Sequence, residues 1–188
     1  MSQQRKTGYS LIELLVTIAI IAVLLGLLLV GFSFVQKKQK IKQTHLELSF
    51  LQVGITSYRE DFGDFPHCPK EICTPAECLF LSMIGFHNAV GGLEVPPKRV
   101  SLPVRLLGFD PAIFDEAEIP SFSHNDGNAL KIWLSDILNK DPGFLDPWGN
   151  EYQYEYPRDD NNLGYELFSM GPDGQTGDKF SGDDIHPR

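Results

Sequence analysis

A run of 27 predominantly apolar residues, Tyr9–Val35, constrains the fold of this chain more than any other feature. A helix of that length, at about 1.5 Å per residue, is longer than the roughly 30 Å hydrocarbon layer of a membrane requires. The run is too long for the apolar part of a signal peptide, and no A-x-A cleavage motif follows it. We therefore predict a transmembrane helix over residues 9–35, in preference to a buried helix of a soluble protein.

One carboxylate, Glu13, is the fifth residue of this apolar run. An acidic side chain in the middle of a membrane segment costs about 2.5–3.5 kcal/mol on insertion scales, and less near the membrane boundary. One explanation is that the Glu13 side chain extends to the interface and keeps its charge in water. A functional role for the carboxylate is the alternative.

Charge is distributed unevenly along the 188 residues, whose net charge is −9. The first 45 residues contain six basic side chains and one acidic side chain, which leaves −14 for the remainder. This acidic remainder argues against a nucleic-acid partner, because a phosphate backbone would repel it. Basic residues flank the apolar run at both ends, so the positive-inside rule does not decide its orientation.

The helical pattern continues beyond the apolar run. Residues with apolar character recur at alternating steps of three and four, and they are Ile41, Thr44, Leu48, Leu51, Ile55, Tyr58 and Phe62. No proline occurs before Pro66, and Gly63 and Pro66 provide the stop signals. We predict one continuous helix over residues 9–62, of which residues 36–62 are amphipathic and lie on a globular domain.

The remaining sequence predicts short helices followed by a β-hairpin. Residues 63–145 are irregular, with short helices over 76–86 and 129–138, the second beginning near Asn125 or Asp126. From residue 146 to the end, two alternating runs, 151–156 and 165–170, are joined by a polar turn and predict a hairpin, with Trp148 anchored in the core. A helix followed by an antiparallel sheet places the fold in the α+β class.

The N-terminal sequence KTG-YSLIELLV resembles the signal of prepilins and pseudopilins. The resemblance implies that residues 1–8 are a leader, which a prepilin peptidase removes between Gly8 and Tyr9 on the cytoplasmic side before the new N-terminus is methylated. It also implies that Glu13 pairs with the N-terminal amine of an adjacent subunit in a filament. Such pairing makes two buried charges tolerable and fixes the axial register. Tyr9 departs from the phenylalanine that is usual in this family.

The C-terminal sequence narrows the resemblance. DPWGNEYQYEYP, YELFSMGPDGQTG and GDDI are similar to the major pseudopilin of type II secretion, in which the corresponding loop binds calcium. The resemblance covers residues 8–62 and 146–185 and does not extend to the longer middle segment. It implies a structural subunit and no enzyme, and the chain contains none of the common catalytic motifs.

The acidic, glycine-rich end has the chemistry of a calcium site, because calcium prefers six to eight oxygen ligands from carboxylates, carbonyls and water. The four acidic candidates lie within twelve residues and are separated by glycines. We predict Asp173 and Asp184 as the principal ligands. The further candidates are the carboxylates of Asp178 and Asp183 and the backbone carbonyls of Ser169 and Gln175. A solvated acidic tail is the alternative.

Three cysteines, Cys68, Cys73 and Cys78, are spaced C-x4-C-x4-C. In an oxidising periplasm they predict one disulfide and one free thiol, and the spacing leaves the pairing open. A zinc site that also uses His67 is the alternative, although the spacing is looser than in usual zinc motifs.

The resemblance therefore implies a pseudopilus subunit of the bacterial inner membrane, with its N-terminus cytoplasmic and its domain periplasmic. Its expected partners are copies of itself, other pseudopilins, the prepilin peptidase and the inner-membrane secretion platform. Two alternatives are a type IV pilin or minor pilin for adhesion, motility or DNA uptake, and a signal-anchored periplasmic binding domain that does not polymerise.

Overall fold

The computed structural model describes residues 10–67, 73–85, 102–109, 113, 127–139, 141–158, 163–176 and 182–187. The chain divides into two compact units, one ending at Lys40 and the other beginning at Ile41. The elements in chain order are α1 (Leu11–Phe62), α2 (Pro75–Met83), α3 (Val104–Leu107), α4 (Gly127–Leu138), β1 (Gln153–Glu155), β2 (Glu166–Phe168) and a 3₁₀ turn (Gly171–Asp173). The predicted α+β class is confirmed.

Helix α1 accounts for the long helix that the sequence predicts. It ends where Gly63 adopts a φ of 86° and donates its N–H to the Arg59 carbonyl at 2.8 Å, a conformation that favours glycine. In the first unit its large apolar side chains are exposed, Leu11 by 81% and Leu27 by 68%. Among the described residues, no helix combines the length and the hydropathy needed to cross a membrane. The transmembrane segment over residues 9–35 stays a prediction.

In the second unit, one face of α1 forms the centre of the core. Leu48, Leu51, Ile55 and Tyr58 are fully buried, as the three-and-four spacing predicts. Burial of a large aliphatic or aromatic side chain contributes about 1.5–3 kcal/mol. The rest of this core comes mainly from α2, α3, the hairpin and the segment that precedes it.

Strands β1 and β2 form a two-stranded antiparallel sheet, which confirms the predicted hairpin. Tyr154 lies opposite Leu167, and both are buried, while the flanking residues of each strand are half-buried. The strands are shorter than the predicted runs because their outer residues bond elsewhere. Glu151 forms an isolated bridge with Leu145, and Ser169 forms one with Ile185.

Helix α2 begins with a capping box and is linked to α4. The Thr74 hydroxyl accepts the Glu77 N–H at 3.2 Å, and the Glu77 carboxylate accepts the Thr74 N–H at 2.8 Å. The Glu77 carboxylate also lies 2.6 Å from Lys131 Nζ of α4. Both predicted short helices are present, with ends that differ by a few residues, whereas α3 was not predicted. The proposed start of the second helix at Asn125 or Asp126 lies outside the described residues.

Candidate functional site

The Glu13 carboxylate lies in the exposed first turn of α1, and its Oε2 accepts the Ser10 backbone N–H at 2.9 Å. An acidic side chain in the first turn also interacts favourably with the helix dipole. This local role was missed by our sequence analysis, although Ser10-Leu-Ile-Glu13 matches the S-x-x-E capping pattern. The predicted cleavage residues Gly8 and Tyr9 lie outside the described residues.

A buried polar network centred on Asp146 supports the start of the acidic C-terminal loop. Asp146 is 5% exposed. Asp146 Oδ1 accepts the backbone N–H groups of Trp148 and Asn150, both at 2.9 Å, which closes the DPWGN turn. Asp146 Oδ2 accepts the Ser169 hydroxyl at 2.6 Å. Both carboxylate oxygens are therefore satisfied inside the protein, and a turn that precedes β1 is joined to the end of β2.

The network continues into the backbone of Gly171. Ser169 Oγ accepts the Gly171 N–H at 3.0 Å, and Asn150 Nδ2 donates to the Gly171 carbonyl at 2.7 Å. Gly171 has a φ of 64°, and a Cβ at this position would lie within 2.3 Å of the Asp183 carbonyl oxygen. Only glycine therefore allows the two arms of the loop to approach this closely.

Three predicted carboxylate ligands lie near one another in this loop. The Asp173 N–H is 3.3 Å from Asp183 Oδ2, and Asp173 Oδ1 accepts the Gln175 N–H at 2.9 Å. Asp184 Oδ1 is buried and has no hydrogen-bond partner among the residues that the structure describes. Burial raises the pKa of Asp184, His186 opposes this effect, and the nearby carboxylates of Asp183 and Asp173 raise the pKa further.

Some of these observations support a bound cation, and one does not. A buried carboxylate oxygen without a partner, close to two other carboxylates, is an arrangement that a bound cation would stabilise. Within the described residues, no group of three or more acidic, histidine or cysteine side chains is arranged to hold a metal ion. Calcium also uses carbonyl and water ligands, so such a group is not required.

The other predicted ligands have separate positions. The Ser169 carbonyl accepts the Ile185 N–H at 2.9 Å, and the Ser169 N–H donates to the Ile185 carbonyl at 3.0 Å, so this backbone takes part in a β-bridge. Gln175 is exposed at the end of the described arm. Asp178 lies outside the described residues.

Of the cysteines, Cys73 takes part in a disulfide bond and Cys78 is a free, buried thiol. Cys68 lies outside the described residues. Burial raises the pKa of Cys78 to about 12, with a weak opposing contribution from Ser82. A sulfur in a disulfide is not a zinc ligand, so these facts favour the disulfide interpretation.

A buried carboxylate that we did not predict lies on α1. Glu47 is 7% exposed, and its two oxygens accept hydrogen bonds from Gln43 Nε2 and the Tyr152 hydroxyl, both at 2.7 Å. The signal in the sequence was a glutamate next to the apolar stripe, beside Leu48. This pair connects α1 to the start of the hairpin.

Comparisons with known proteins identify two regions of the chain. Residues 121–187 match the family "Type II secretion system (T2SS), protein G", and residues 3–29 match the prokaryotic N-terminal methylation motif. The type II secretion system core protein G of Vibrio cholerae serotype O1 is 48% identical over 40 residues, which are 21% of this chain and 26% of that protein. The match thus spans about a quarter of the relative's length. No solved structure matches significantly.

A helix that begins inside an N-terminal methylation motif and whose second part packs on a small antiparallel sheet is typical of a pilin-like protein. Together, the two matches support a type II secretion pseudopilin similar to protein G. The prediction from the resemblance is confirmed. Both matches with protein G name type II secretion, which favours the pseudopilin prediction over the pilin alternative.

Proposed function

We propose that this protein is a structural subunit of a periplasmic pseudopilus in type II secretion, processed by prepilin peptidase and polymerised through its N-terminal helix. The observation that carries the proposal is the exposed Glu13 carboxylate in the first turn of α1, inside the matched methylation motif. The long exposed apolar surface of the first unit supports it, because such a surface requires a lipid or protein partner.

Glu13 has a defined task in this proposal. In the single chain, the Glu13 carboxylate accepts the Ser10 N–H. Cleavage before Tyr9 would create a charged amine on Tyr9, one residue before Ser10. In a filament, the carboxylate of one copy would pair with the amine of the next. Each charge is costly in an apolar surrounding and tolerable when paired, so the pair would select one stagger between neighbouring helices.

The acidic loop is proposed to bind calcium as a structural ion. Asp173 and Asp184 would be the principal ligands, with Asp183 beside them and Asp178, Gln175 and Ser169 as further candidates. A bound calcium would supply two positive charges to a loop whose carboxylates otherwise repel one another. The chain itself holds the two arms together through Gly171, Asp183 and the Ser169–Ile185 bridge.

The proposed location is the bacterial inner membrane, with a single span, a cytoplasmic N-terminus and the second unit in the periplasm. The proposed partners are further copies of this chain, other pseudopilins, the prepilin peptidase and the inner-membrane secretion platform. Nucleic acid is not among them, since the part beyond residue 45 carries a charge of −14 within a total of −9.

The intact mass of the protein purified from its native membrane tests this proposal. We expect a chain that begins at Tyr9, with or without one added methyl group. A chain that still carries residues 1–8 would contradict processing and would favour the signal-anchored binding domain.

A further inference from the structure

We propose that Asn150 is a positioning residue for the cation: it sets the geometry of the acidic loop without being a ligand itself. The inference rests on the proposed calcium site. It starts from the position of Asn150 in the DPWGN turn, 21 residues before Gly171, to whose carbonyl it donates. Its side chain therefore acts on the loop from outside the acidic segment.

The backbone of Gly171 is held from both sides by this turn. Its carbonyl accepts from Asn150 Nδ2 at 2.7 Å, and its N–H donates to Ser169 Oγ, which in turn donates to Asp146 Oδ2 at 2.6 Å. The direction of the Gly171 peptide groups is thus fixed before any ligand binds. Asp173 follows two residues later in the same 3₁₀ turn. The position of the Asp173 backbone, from which its carboxylate extends, therefore depends on the orientation of Gly171.

Asn150 also limits the position of the other end of this turn. Gly174 has a φ of 65°, and a Cβ there would lie 2.8 Å from Asn150 Oδ1. The amide therefore donates to the first residue of the turn, Gly171, and lies close to the residue after it, Gly174. Asp173 lies between these two points, and the carboxylate of Asp183 faces its N–H at 3.3 Å.

Asp146 and Asn150 differ from metal ligands because their polar groups already form hydrogen bonds within the protein. Both oxygens of Asp146 already accept protein hydrogen bonds, and the Asn150 N–H donates to Asp146. Residues that orient metal ligands from outside the coordination sphere typically change metal affinity by 10–100-fold when they are removed. We infer the same kind of role for Asn150, with the DPWGN turn as the rigid support.

The test is calcium titration calorimetry on the full-length protein in detergent at 25 °C, comparing Asn150→Ala with wild type. We expect the dissociation constant to rise about 10-fold or more, with every acidic side chain still present. Gln153→Ala is the matched control, since Gln153 Nε2 also donates to a backbone carbonyl, that of Glu151, but outside the loop. Its dissociation constant should be unchanged.

A merely structural role predicts a different result. In that case Asn150→Ala would lower the melting temperature equally in calcium and in chelator, and the dissociation constant of the folded protein would stay at the wild-type value. This outcome would overturn the inference. If wild type itself binds no calcium, the proposed calcium site fails first, and the two failures are thereby distinguished.

A second variant keeps the test decisive if Asn150→Ala does not fold. Gly174→Ala should weaken calcium binding because its Cβ would meet Asn150 Oδ1, whereas Gly164→Ala, which also has a positive φ (92°) but whose Cβ meets nothing within 4 Å, should not. Where Asn150→Ala folds, Gly174→Ala should cost less affinity in that background than in wild type. Equal costs in both backgrounds, or equal effects of the two glycine variants, would contradict the inference.

Discussion

The Tyr152 hydroxyl donates a 2.7 Å hydrogen bond to Glu47 Oε2, which joins two buried residues that are 105 positions apart in the chain. Burial and the adjacent Glu47 carboxylate both raise the pKa of Tyr152, so this hydroxyl keeps its proton and remains a donor. The bond fixes one face of α1 against the residue that precedes β1. The position of the hairpin on the helix thus depends on a polar contact inside the apolar core.

Tyr152→Phe should destabilise the second unit by about 1–3 kcal/mol, because it leaves one oxygen of the buried Glu47 without its partner. Denaturant unfolding of the detergent-solubilised protein, followed by circular dichroism, measures the change. Tyr156→Phe is the matched control, since its hydroxyl donates to Asp64 Oδ1 at 2.6 Å in a half-buried place. It should cost less, and an equal or larger cost would contradict the importance of the Glu47 contact.

Glu151→Gln should stabilise the protein at pH 7 by up to about 1 kcal/mol, a modest value because the side chain is half-buried. Burial raises the pKa of Glu151, Glu77 and Asp141 raise it further, and Lys131 opposes them. The folded state therefore holds the Glu151 proton more tightly than the unfolded state, so ionisation above the folded pKa costs stability. The stabilisation should disappear below the unfolded value of about 4.5.

Lys131→Met is the opposite-sign companion of that variant, and the melting temperature measured against pH checks both predictions. Burial raises the pKa of Glu77, but the hydrogen bond and charge of Lys131 and the Thr74 N–H outweigh it, so the net pKa is lowered. This contribution to stability is present above pH 4.5 and is lost as the pH falls through the folded pKa. Lys131→Met should therefore destabilise at pH 7 and less in acid. A pH-independent effect of both variants would contradict the assignment.

The Cys78 thiol should resist alkylation in the native protein at pH 8. It is 1% exposed, and burial raises its pKa to about 12, so both access and thiolate formation are suppressed. Iodoacetamide labelling followed by mass spectrometry should find Cys78 unmodified in the native state and modified after denaturation. Rapid labelling of the native protein would mean that the face of α2 that carries Cys78 is not buried against the core.

The elements of this fold were predictable where a single physical signal was strong. The alternation at Tyr154 and the stripe from Leu48 to Tyr58 both reflect burial, and the structure places these residues in one core. The outer ends of the strands were not predictable, because Glu151 and Ser169 pair with Leu145 and Ile185 rather than with each other's strand. Such pairings depend on tertiary contacts that periodicity does not encode.

The candidate site was only partly predictable for a related reason. Carboxylates and glycines in the acidic loop indicate cation chemistry from their composition. The support for that loop comes from Asp146 and Asn150, which lie about twenty residues earlier and bond to Ser169 and Gly171. Aspartate and asparagine are common turn residues, so the local sequence predicts the turn. Nothing in it indicates that these two residues also support the acidic loop. Glu47 was missed likewise, since its partner is distant in sequence.

Calcium should raise the melting temperature of the protein, and chelation should lower it. An ion that binds only the folded state raises the free energy of unfolding by about 4 kcal/mol when its free concentration is 1,000 times its dissociation constant. Asp184→Asn should remove most of this response, because Asp184 Oδ1 is buried and, within the described part of the chain, has no hydrogen-bond partner. Asp136→Asn, an exposed change of the same charge on α4, is the control and should keep the response. A wild-type melting temperature that ignores calcium would contradict the site.

Polymerisation through Glu13 is tested by expressing wild type and Glu13→Ala with the rest of the secretion machinery and counting sheared filaments by electron microscopy. Membrane fractionation of the same cells provides the insertion control. We expect filaments from wild type, and membrane-inserted, stable Glu13→Ala protein that forms at least 10-fold fewer filaments, on the order of the loss of one buried charge pair. Normal filaments from Glu13→Ala would contradict the proposed role of Glu13 in the register between subunits.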